Sequence, residues 1–279
     1  MATLGEIYTE RSGVLNLGVE GMMIVGAVTG FGVSLTTGNV YAGIIAAMIV
    51  GGLLSLVHAF ISISLRANQV VSGLALTMLG LGLSGLVGRA YIGKPLYDRL
   101  PQMTIPLLVD IPILGPSLFK HDLLVYISFL LAPALWFVLF KTRIGINIRS
   151  VGENPAAADA LGINVYAVRY LCTCFGGCLA GLSGAYLSVA YAPAWIEGMT
   201  AGRGWIAVAL TIFVLWSPAR ALLGAYLFGG VEAFQFRLQP LGVSPNLLAM
   251  LPYAFTLIAL VAASRETIRK KIGAPSALG

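Results

Sequence analysis

Asn16 and Glu20 are the polar side chains whose position in the sequence most clearly suggests a functional role. Both interrupt an apolar stretch from residue 14 to residue 35, and their spacing of four would place them on one face of a helix. An ionisable group in apolar surroundings is costly and usually faces a protein interior or a water-filled cavity. We predict that both line or gate a path through the protein. A structural or gating role is favoured over direct contact with a substrate. Alternatively, Glu20 lies near an interface and pairs with a neighbouring polar group.

Polar side chains also occur in the next two apolar stretches. We assign Ser72 and Thr77 to the same predicted path as the two residues above. His58 has no carboxylate or second histidine near it in the sequence. An interhelical hydrogen bond is therefore favoured for His58 over a role in proton transfer.

The remaining candidates for chemistry form no catalytic or metal-binding pattern. Cys172, Cys174 and Cys178 lie in one apolar stretch with no histidine nearby, which favours small packing residues over a metal site. The apolar stretches contain no aspartate and no H-E-x-x-H motif, so an intramembrane protease is not supported. Residues 88–95 approach a phosphate-binding loop, but Pro95 replaces the Ser or Thr that binds magnesium. We therefore predict that the chain is not an enzyme and that it binds neither a metal ion nor a nucleotide.

The composition indicates an integral membrane protein. The chain has 279 residues, of which 58% are hydrophobic and 10% are charged, and its mean hydropathy is +0.90. Soluble domains are about 45–50% apolar and about 25% charged, so this chain has too little polar surface for a water-soluble globule of its size. The net charge of +6 does not indicate nucleic-acid binding, because the basic residues lie at the ends of apolar stretches rather than in one stripe.

The apolar stretches predict an all-α, polytopic transmembrane bundle of about eight spans, forming a single domain over residues 1–279. The candidate spans are 14–35, 41–65, 70–88, 123–140, 170–189, 205–216, 222–232 and 247–263. A bilayer core of about 30 Å requires about 20 helical residues. The sixth and seventh stretches are shorter than this, so they are predicted to be short or tilted helices, or to be extended by flanking residues.

The distribution of basic residues predicts the orientation. Segment 141–169 and the tail after residue 263 each contain four Lys or Arg residues. The positive-inside rule places both on the cytoplasmic side, and the proline-rich loop 89–122 then faces outward. Loops 190–203 and 232–246 are candidate outer gates, with plain connecting loops as the alternative.

A short helix is predicted within segment 141–169. Asn154 is a favourable N-cap, and Pro155 suits the first helical position because its missing N–H is not needed there. Alanines follow, and Gly162 suits a left-handed residue after the helix end. A helix of about two turns is marginal alone in water. It is therefore predicted either to dock on a partner or to connect two spans at the membrane surface.

Three separated motifs resemble one family of transporters. Residues 151–165 (VGENPAAADALGINV) resemble the coupling loop of ATP-binding-cassette (ABC) importer permeases of the branched-chain amino acid, ribose and nucleoside group. Residues 10–23 (ERSGVLNLGVEGMM) resemble the amino-terminal signature of the nucleoside and simple-sugar branch. Residues 202–210 (GRGWIAVAL) and 227–229 (LFG) resemble its carboxy-terminal half. Relatives usually have a further hydrophobic stretch before the motif at residues 10–23, which only nine residues precede here.

The resemblance also implies the partner subunits of the transporter. A cytoplasmic ATPase subunit, which carries ATP and magnesium, would bind the loop through seven residues: Gly152, Glu153, Asn154, Pro155, Ala156, Ala157 and Gly162. A second permease, identical or similar, and an external substrate-binding protein would complete the transporter in the bacterial cytoplasmic membrane. The predicted cargo is a nucleoside or a simple sugar, with a branched-chain amino acid as a further alternative.

An ion-coupled secondary transporter is the alternative from another class. It would require paired carboxylates or a buried basic residue within the membrane. From the sequence, only Glu20 and Glu232 are available for that role. This shortage favours the ABC permease.

Overall fold

The computed structural model describes most of the chain. The described residues are 1–96, 100–104, 106, 119–241, 244, 247–248, 250–263 and 275–278. The predicted basic tail, most of the predicted gate beyond residue 241 and much of loop 89–122 lie outside them.

The described chain is mainly helical. The helices are α1 (Ala2–Arg11), α2 (Val19–Thr37), α3 (Val40–Ala59), α4 (Gln69–Gly88), α5 (Leu123–Lys141), α6 (Arg143–Glu153), α7 (Pro155–Ala160), α8 (Val165–Tyr186), α9 (Arg203–Phe213), α10 (Pro218–Leu238) and α11 (Leu251–Ala263). Single π turns extend α3 over Phe60–Ser64 and α8 over Leu187–Tyr191, and 3₁₀ turns occupy Arg89–Tyr91, Gln239–Leu241 and Ser276–Leu278.

Five of the described helices are long and apolar enough to cross a membrane: α2, α3, α4, α5 and α8, with their terminal turns. The predicted number of about eight spans is therefore not confirmed. Helix α9 has 11 residues and is too short, as predicted. Helix α10 has 21 residues, longer than predicted, but carries Arg220, Glu232 and Arg237.

Helix α8 lies at the centre of the bundle, against α1, α2 and α3. Small residues allow this packing. A Cβ atom added at Gly26 of α2 would lie 2.5 Å from the carbonyl oxygen of Gly181 in α8, so the two backbones are in direct contact. Helix α4 meets α2 in the same way, where Gly80 faces Gly21. Close approach of this kind is how helices associate in lipid.

A two-stranded antiparallel ribbon is an exception to the all-α prediction. It pairs β1 (Gln102–Thr104) with β2 (Lys120–Asp122), and Met103 lies opposite His121. The ribbon leads directly into α5, whose first turn is capped by the Asp122 carboxylate accepting from the N–H of Val125 at 3.1 Å. The predicted loop 89–122 therefore contains some regular structure.

Candidate functional site

Helix α7 has the two ends that the sequence predicts. The Asn154 side chain accepts a hydrogen bond from the N–H of Ala157 at 3.0 Å, and Pro155 occupies the first turn. Gly162 has a φ of +81°. The N–H of Gly162 donates to Asp159 O at 2.8 Å, and that of Ile163 donates to Ala158 O at 3.1 Å. This pair of bonds is the Schellman motif, so the predicted helix and both of its caps are confirmed.

The exposed surface of α7 is made of three alanines and the Asp159 side chain. Ala156, Ala157 and Ala160 are exposed, and Leu161 at the end of the helix is 80% exposed. Such a surface suits a partner, although the role of these residues in binding an ATPase stays a prediction. The preceding helix α6 was not predicted.

The end of α6 lies directly against the end of α1. Gly152 is buried, and a Cβ atom added there would lie 2.1 Å from the carbonyl oxygen of Arg11. The Arg169 guanidinium of α8 donates to Ser12 O at 3.2 Å. The segment that carries α7 is thus joined to the point where α1 ends.

A non-helical segment, residues 12–18, follows α1, and we call it the first interruption. Its backbone polar groups are bonded by side chains of other elements. The N–H of Leu15 donates to Gln69 Oε1 at 2.6 Å, and Leu15 O lies 3.0 Å from His58 Nε2. The Thr77 hydroxyl donates to Leu17 O at 3.0 Å. Non-helical backbone within a membrane protein needs this kind of satisfaction.

Asn16 belongs to the first interruption and not to a helix. Its side-chain oxygen accepts from the N–H of Gly18 at 3.0 Å, a local turn that competes with helix formation, and α2 begins only at Val19. The prediction that Asn16 and Glu20 share a helix face is therefore wrong.

Ser72 is buried and its hydroxyl lies 3.0 Å from His58 Nδ1. The interhelical hydrogen bond predicted for His58 is confirmed. Together with Thr77, these side chains surround the first interruption from α3 and α4. The structure thus brings Asn16, Ser72 and Thr77 together, and their assignment to a transport path stays a prediction.

Glu20, near the start of α2, caps the start of α9. Its Oε1 accepts from the Thr200 hydroxyl at 2.6 Å and from the N–H of Gly202 at 2.9 Å, and its Oε2 accepts from the N–H of Gly204 at 2.6 Å. A Cβ atom added at Gly204 would lie 2.5 Å from the Cα of Glu20, so the two backbones touch. A carboxylate at a helix N-terminus is favourable because it satisfies free N–H groups and complements the helix dipole. We call this arrangement the Glu20 junction.

The Glu20 junction also holds a second interruption, residues 192–202, between α8 and α9. Ala201 and Gly202 both have positive φ angles, +45° and +78°. A positive φ is unfavourable for alanine, and the surrounding bonds oppose that cost, including the one from the Tyr253 hydroxyl to Ala201 O at 2.6 Å. The interruption predicted at residues 190–203 is confirmed, whereas Glu232, predicted to begin a second gate, lies inside α10.

The length of α9 separates the Glu20 junction from the side of the protein that carries α7. Eleven residues at about 1.5 Å each span about 16 Å, roughly half of a bilayer core. The far end of α9 lies beside α1, where the Arg11 side chain donates to Trp216 O at 3.4 Å. That end is on the same side of the protein as α7, because Arg11 also contacts Gly152. The start of α9 therefore lies about 16 Å along the helix from that side.

Glu6 and Glu10 are buried acidic residues that the sequence analysis missed. Both lie in α1, four residues apart, and each is 1% exposed. Glu6 Oε1 accepts from the N–H of Asn16 at 3.2 Å, and Glu10 accepts from the indole N–H of Trp216. The sequence analysis counted only Glu20 and Glu232 as carboxylates in apolar stretches, and Glu6 and Glu10 add two that are buried in the bundle. Their spacing of four was the available signal, but residues 2–11 are too polar to be identified as a buried helix.

A partly exposed ion pair lies beside the Glu20 junction. Arg203, the first residue of α9, pairs with Glu232 of α10, and the two side chains are 27% and 33% exposed. The Arg203 guanidinium also donates to Met199 O at 3.1 Å and lies 5.7 Å from the centre of the Tyr191 ring. Within the described residues, no group of three or more His, Cys, Asp or Glu side chains is arranged to hold a metal ion.

Comparison with known proteins gives a family and several similar chains. The family model described as the permease component of the branched-chain amino acid transport system matches residues 1–260. A putative glucose ABC transporter permease protein of Haloferax volcanii is 42% identical over 302 residues, covering 100% of this chain and 92% of the relative. No solved structure matches the chain.

Two bacterial relatives are similar over almost the same length. A guanosine ABC transporter permease protein of Bacillus subtilis is 41% identical, covering 93% of this chain and 86% of the relative. A nucleoside ABC transporter permease protein of Lactococcus lactis is 34% identical, covering 92% and 86%.

Proposed function

Because the chain belongs to the family of permease components of branched-chain amino acid transport systems, we propose that it is the membrane-spanning subunit of an ABC importer for a nucleoside or a simple sugar. The observation that carries this proposal is the similarity of the whole chain to permeases of that kind, two of which are 42% and 41% identical to it. The fold agrees with it, since five described helices can cross a membrane and α7 offers a small exposed surface for a partner.

The names of the relatives suggest which class of molecule this chain transports. They are permeases for glucose, guanosine and nucleosides. All of these molecules are polar and uncharged, and all carry a sugar ring with hydroxyl groups. A nucleoside is the cargo we favour, with a simple sugar as the alternative.

The proposed assembly contains three further components: an ATPase subunit, a second permease and an external binding protein. ATP hydrolysis is assigned to a separate cytoplasmic ATPase subunit, because the sequence contains no complete nucleotide-binding motif. A second permease, identical or similar, would form the other half of the membrane unit, and an external binding protein would deliver the cargo. In this assembly, the complex lies in the cytoplasmic membrane, and helix α7 and the carboxy terminus face the cytoplasm.

The contacts described above suggest how the ATPase acts on the path. Movement of α7 reaches the end of α1 through Gly152 and Arg11, which are in contact. The first interruption then connects α1 to α2, and Glu20 connects α2 to α9. Interrupted segments of this kind occur in transporters, where they line binding sites at membrane depth. A shift of α7 would therefore change the position of α9.

The substitution Ala157→Glu tests this proposal. A large charged side chain on the exposed face of α7 should prevent productive contact with the ATPase while the protein still inserts in the membrane. We expect ATP-dependent uptake of guanosine or glucose into vesicles to fall more than tenfold, which corresponds to over about 1.4 kcal/mol. Thr36→Glu is the matched control, because Thr36 is also exposed and lies at the opposite end of the bundle.

Two results would contradict the proposal. Normal ATP-dependent uptake by the Ala157→Glu variant would remove the assigned role of α7. Uptake by the native protein that needs an ion gradient and no ATPase subunit would instead favour the ion-coupled transporter.

A further inference from the structure

The partly exposed ion pair between Arg203 and Glu232 requires an explanation beyond the packing of the bundle. At a rise of about 1.5 Å per residue, Arg203 lies about 16 Å from the carboxy-terminal end of α9. Glu232 lies about 21 Å from the start of α10, which follows that end of α9 in the chain. Both distances correspond to the interior of a bilayer core of about 30 Å. Charged groups at this depth are tolerated when they face protein or water, and not when they face lipid. The exposed side of this pair therefore faces a cavity or a partner.

The position of Arg203 is fixed by the Glu20 junction. The backbone on both sides of Arg203 donates to the Glu20 carboxylate, through the N–H groups of Gly202 and Gly204. The Met199 carbonyl and the Tyr191 ring hold the guanidinium itself. A binding group held in advance by its surroundings loses little conformational freedom when a ligand arrives.

The pair keeps hydrogen-bonding capacity beyond the bonds it makes. A guanidinium has five N–H donors, and a carboxylate has about four acceptor positions. Among the described residues, the guanidinium donates to Met199 O and to the Glu232 carboxylate. Further donors and acceptors are thus available side by side on a surface with no net charge. Tyr253 and Tyr191 border this surface, and their side chains are 45% and 57% exposed.

We propose that Arg203 and Glu232, bordered by Tyr253 and Tyr191, bind neighbouring hydroxyl groups of the sugar ring of the cargo. Each hydroxyl both donates and accepts a hydrogen bond, so a vicinal diol matches a guanidinium and a carboxylate placed next to each other. The tyrosine rings can cover an apolar face of the sugar or an attached base. The inference rests on the proposed function, since it assumes a cargo that contains a sugar.

The test compares cargo molecules that differ only in these hydroxyl groups. Uptake of guanosine, 2′-deoxyguanosine and 2′,3′-dideoxyguanosine is measured in proteoliposomes that contain the complete transporter, with its native binding protein outside. Glucose and 2-deoxyglucose replace them if the native transporter carries glucose. For each protein, the uptake rate of the cargo with all its hydroxyl groups is divided by the uptake rate of the deoxy cargo. The ratio for the variant is then divided by the ratio for the native protein, which gives a double ratio. The selectivity of the binding protein cancels in this double ratio.

For Glu232→Gln, we expect the preference for the hydroxyl-bearing cargo to fall roughly tenfold, because a site built for a hydroxyl discriminates strongly against its absence. Arg203→Lys should reduce the preference as well, since lysine lacks the planar fork of donors. Arg220→Gln is the matched control, because it removes an exposed charge from α10 far from the pair, and it should leave the double ratio at one.

The outcomes separate this inference from the proposed function. If Glu232→Gln and Arg203→Lys slow every cargo equally, the double ratio stays at one and the pair is structural, so the inference is wrong while the transporter remains. If the native complex shows no ATP-dependent uptake of any of these molecules, the proposed function is wrong. Should Glu232→Gln fail to assemble, Glu232→Asp keeps the charge and withdraws it by one methylene, and the same double ratio decides.

Discussion

Helices α7 and α9 both begin with a side-chain cap, but the two caps come from different distances along the chain. Asn154 caps α7 from three residues away, by accepting from the N–H of Ala157. Glu20 caps α9 from 182 residues away, by accepting from the N–H of Gly202. The first cap fixes one short helix. The second also fixes how α2 and α9 are placed relative to each other, so its loss should affect transport more.

Replacing the remote cap should give the largest effect. In Glu20→Gln, one of the two carboxylate oxygens becomes an NH₂ group, which faces donors rather than acceptors. Hydrogen bonds to a charged group contribute about 1.5–3 kcal/mol each, so a loss on the order of 3 kcal/mol is expected at the junction. Uptake in vesicles should fall at least tenfold, while the amount of protein in the membrane changes much less.

Glu197→Gln is the control for this substitution. Glu197 is an exposed carboxylate in the second interruption, and the hydrogen bonds that hold the start of α9 come from Glu20 instead. Its replacement should leave uptake close to native. Unchanged uptake in Glu20→Gln would show that the remote cap is dispensable, and the contrast between the two caps would lose its functional meaning.

An intermediate effect is expected at the first interruption. Thr77→Val removes the hydroxyl that donates to Leu17 O and leaves a partly buried carbonyl without that partner. An unsatisfied buried group of this kind costs about 1–3 kcal/mol. The thermal unfolding temperature of the purified protein in detergent should therefore decrease, and uptake should decrease with it.

Thr77→Ser provides the comparison, because serine keeps the hydroxyl and loses only a methyl group. It should unfold closer to the native temperature than Thr77→Val. Equal unfolding temperatures for both variants would mean that the Leu17 carbonyl is satisfied in another way, and the first interruption would not depend on side chains of α4.

The same contrast explains which parts of the structure could be predicted from the sequence. Helix α7 and both of its caps follow from adjacent residues. The spans at 41–65 and 70–88 agree within one residue with the observed starts of α3 and α4, because Asn39 and Asn68 cap those helices locally. The type and the ends of these elements depend on neighbours in the sequence.

The features that were missed depend on residues far apart in the sequence. Helix α1 carries two glutamates and an arginine within ten residues, and its burial follows from enclosure by α8, α9 and the end of α6. The apolar stretch 14–35 gave no sign that a helix begins only at Val19, since Val14, Leu15 and Leu17 are apolar in the interruption as well. Pattern alone cannot distinguish a helix from non-helical backbone that other elements satisfy.

The smallest effect is expected when the local cap of α7 is removed. Asn154→Ala should destabilise the first turn of α7 by about 1 kcal/mol, and should leave the unfolding temperature of the bundle unchanged because α7 lies outside its core. About 1 kcal/mol corresponds to roughly a fivefold weaker association. We therefore expect less ATPase subunit to co-purify with the variant. Asn154→Ser retains a capping oxygen and should restore co-purification. If the alanine variant binds the ATPase as the native protein does, α7 does not need its cap to dock; if serine fails to restore binding, Asn154 contacts the partner directly rather than through the helix it caps.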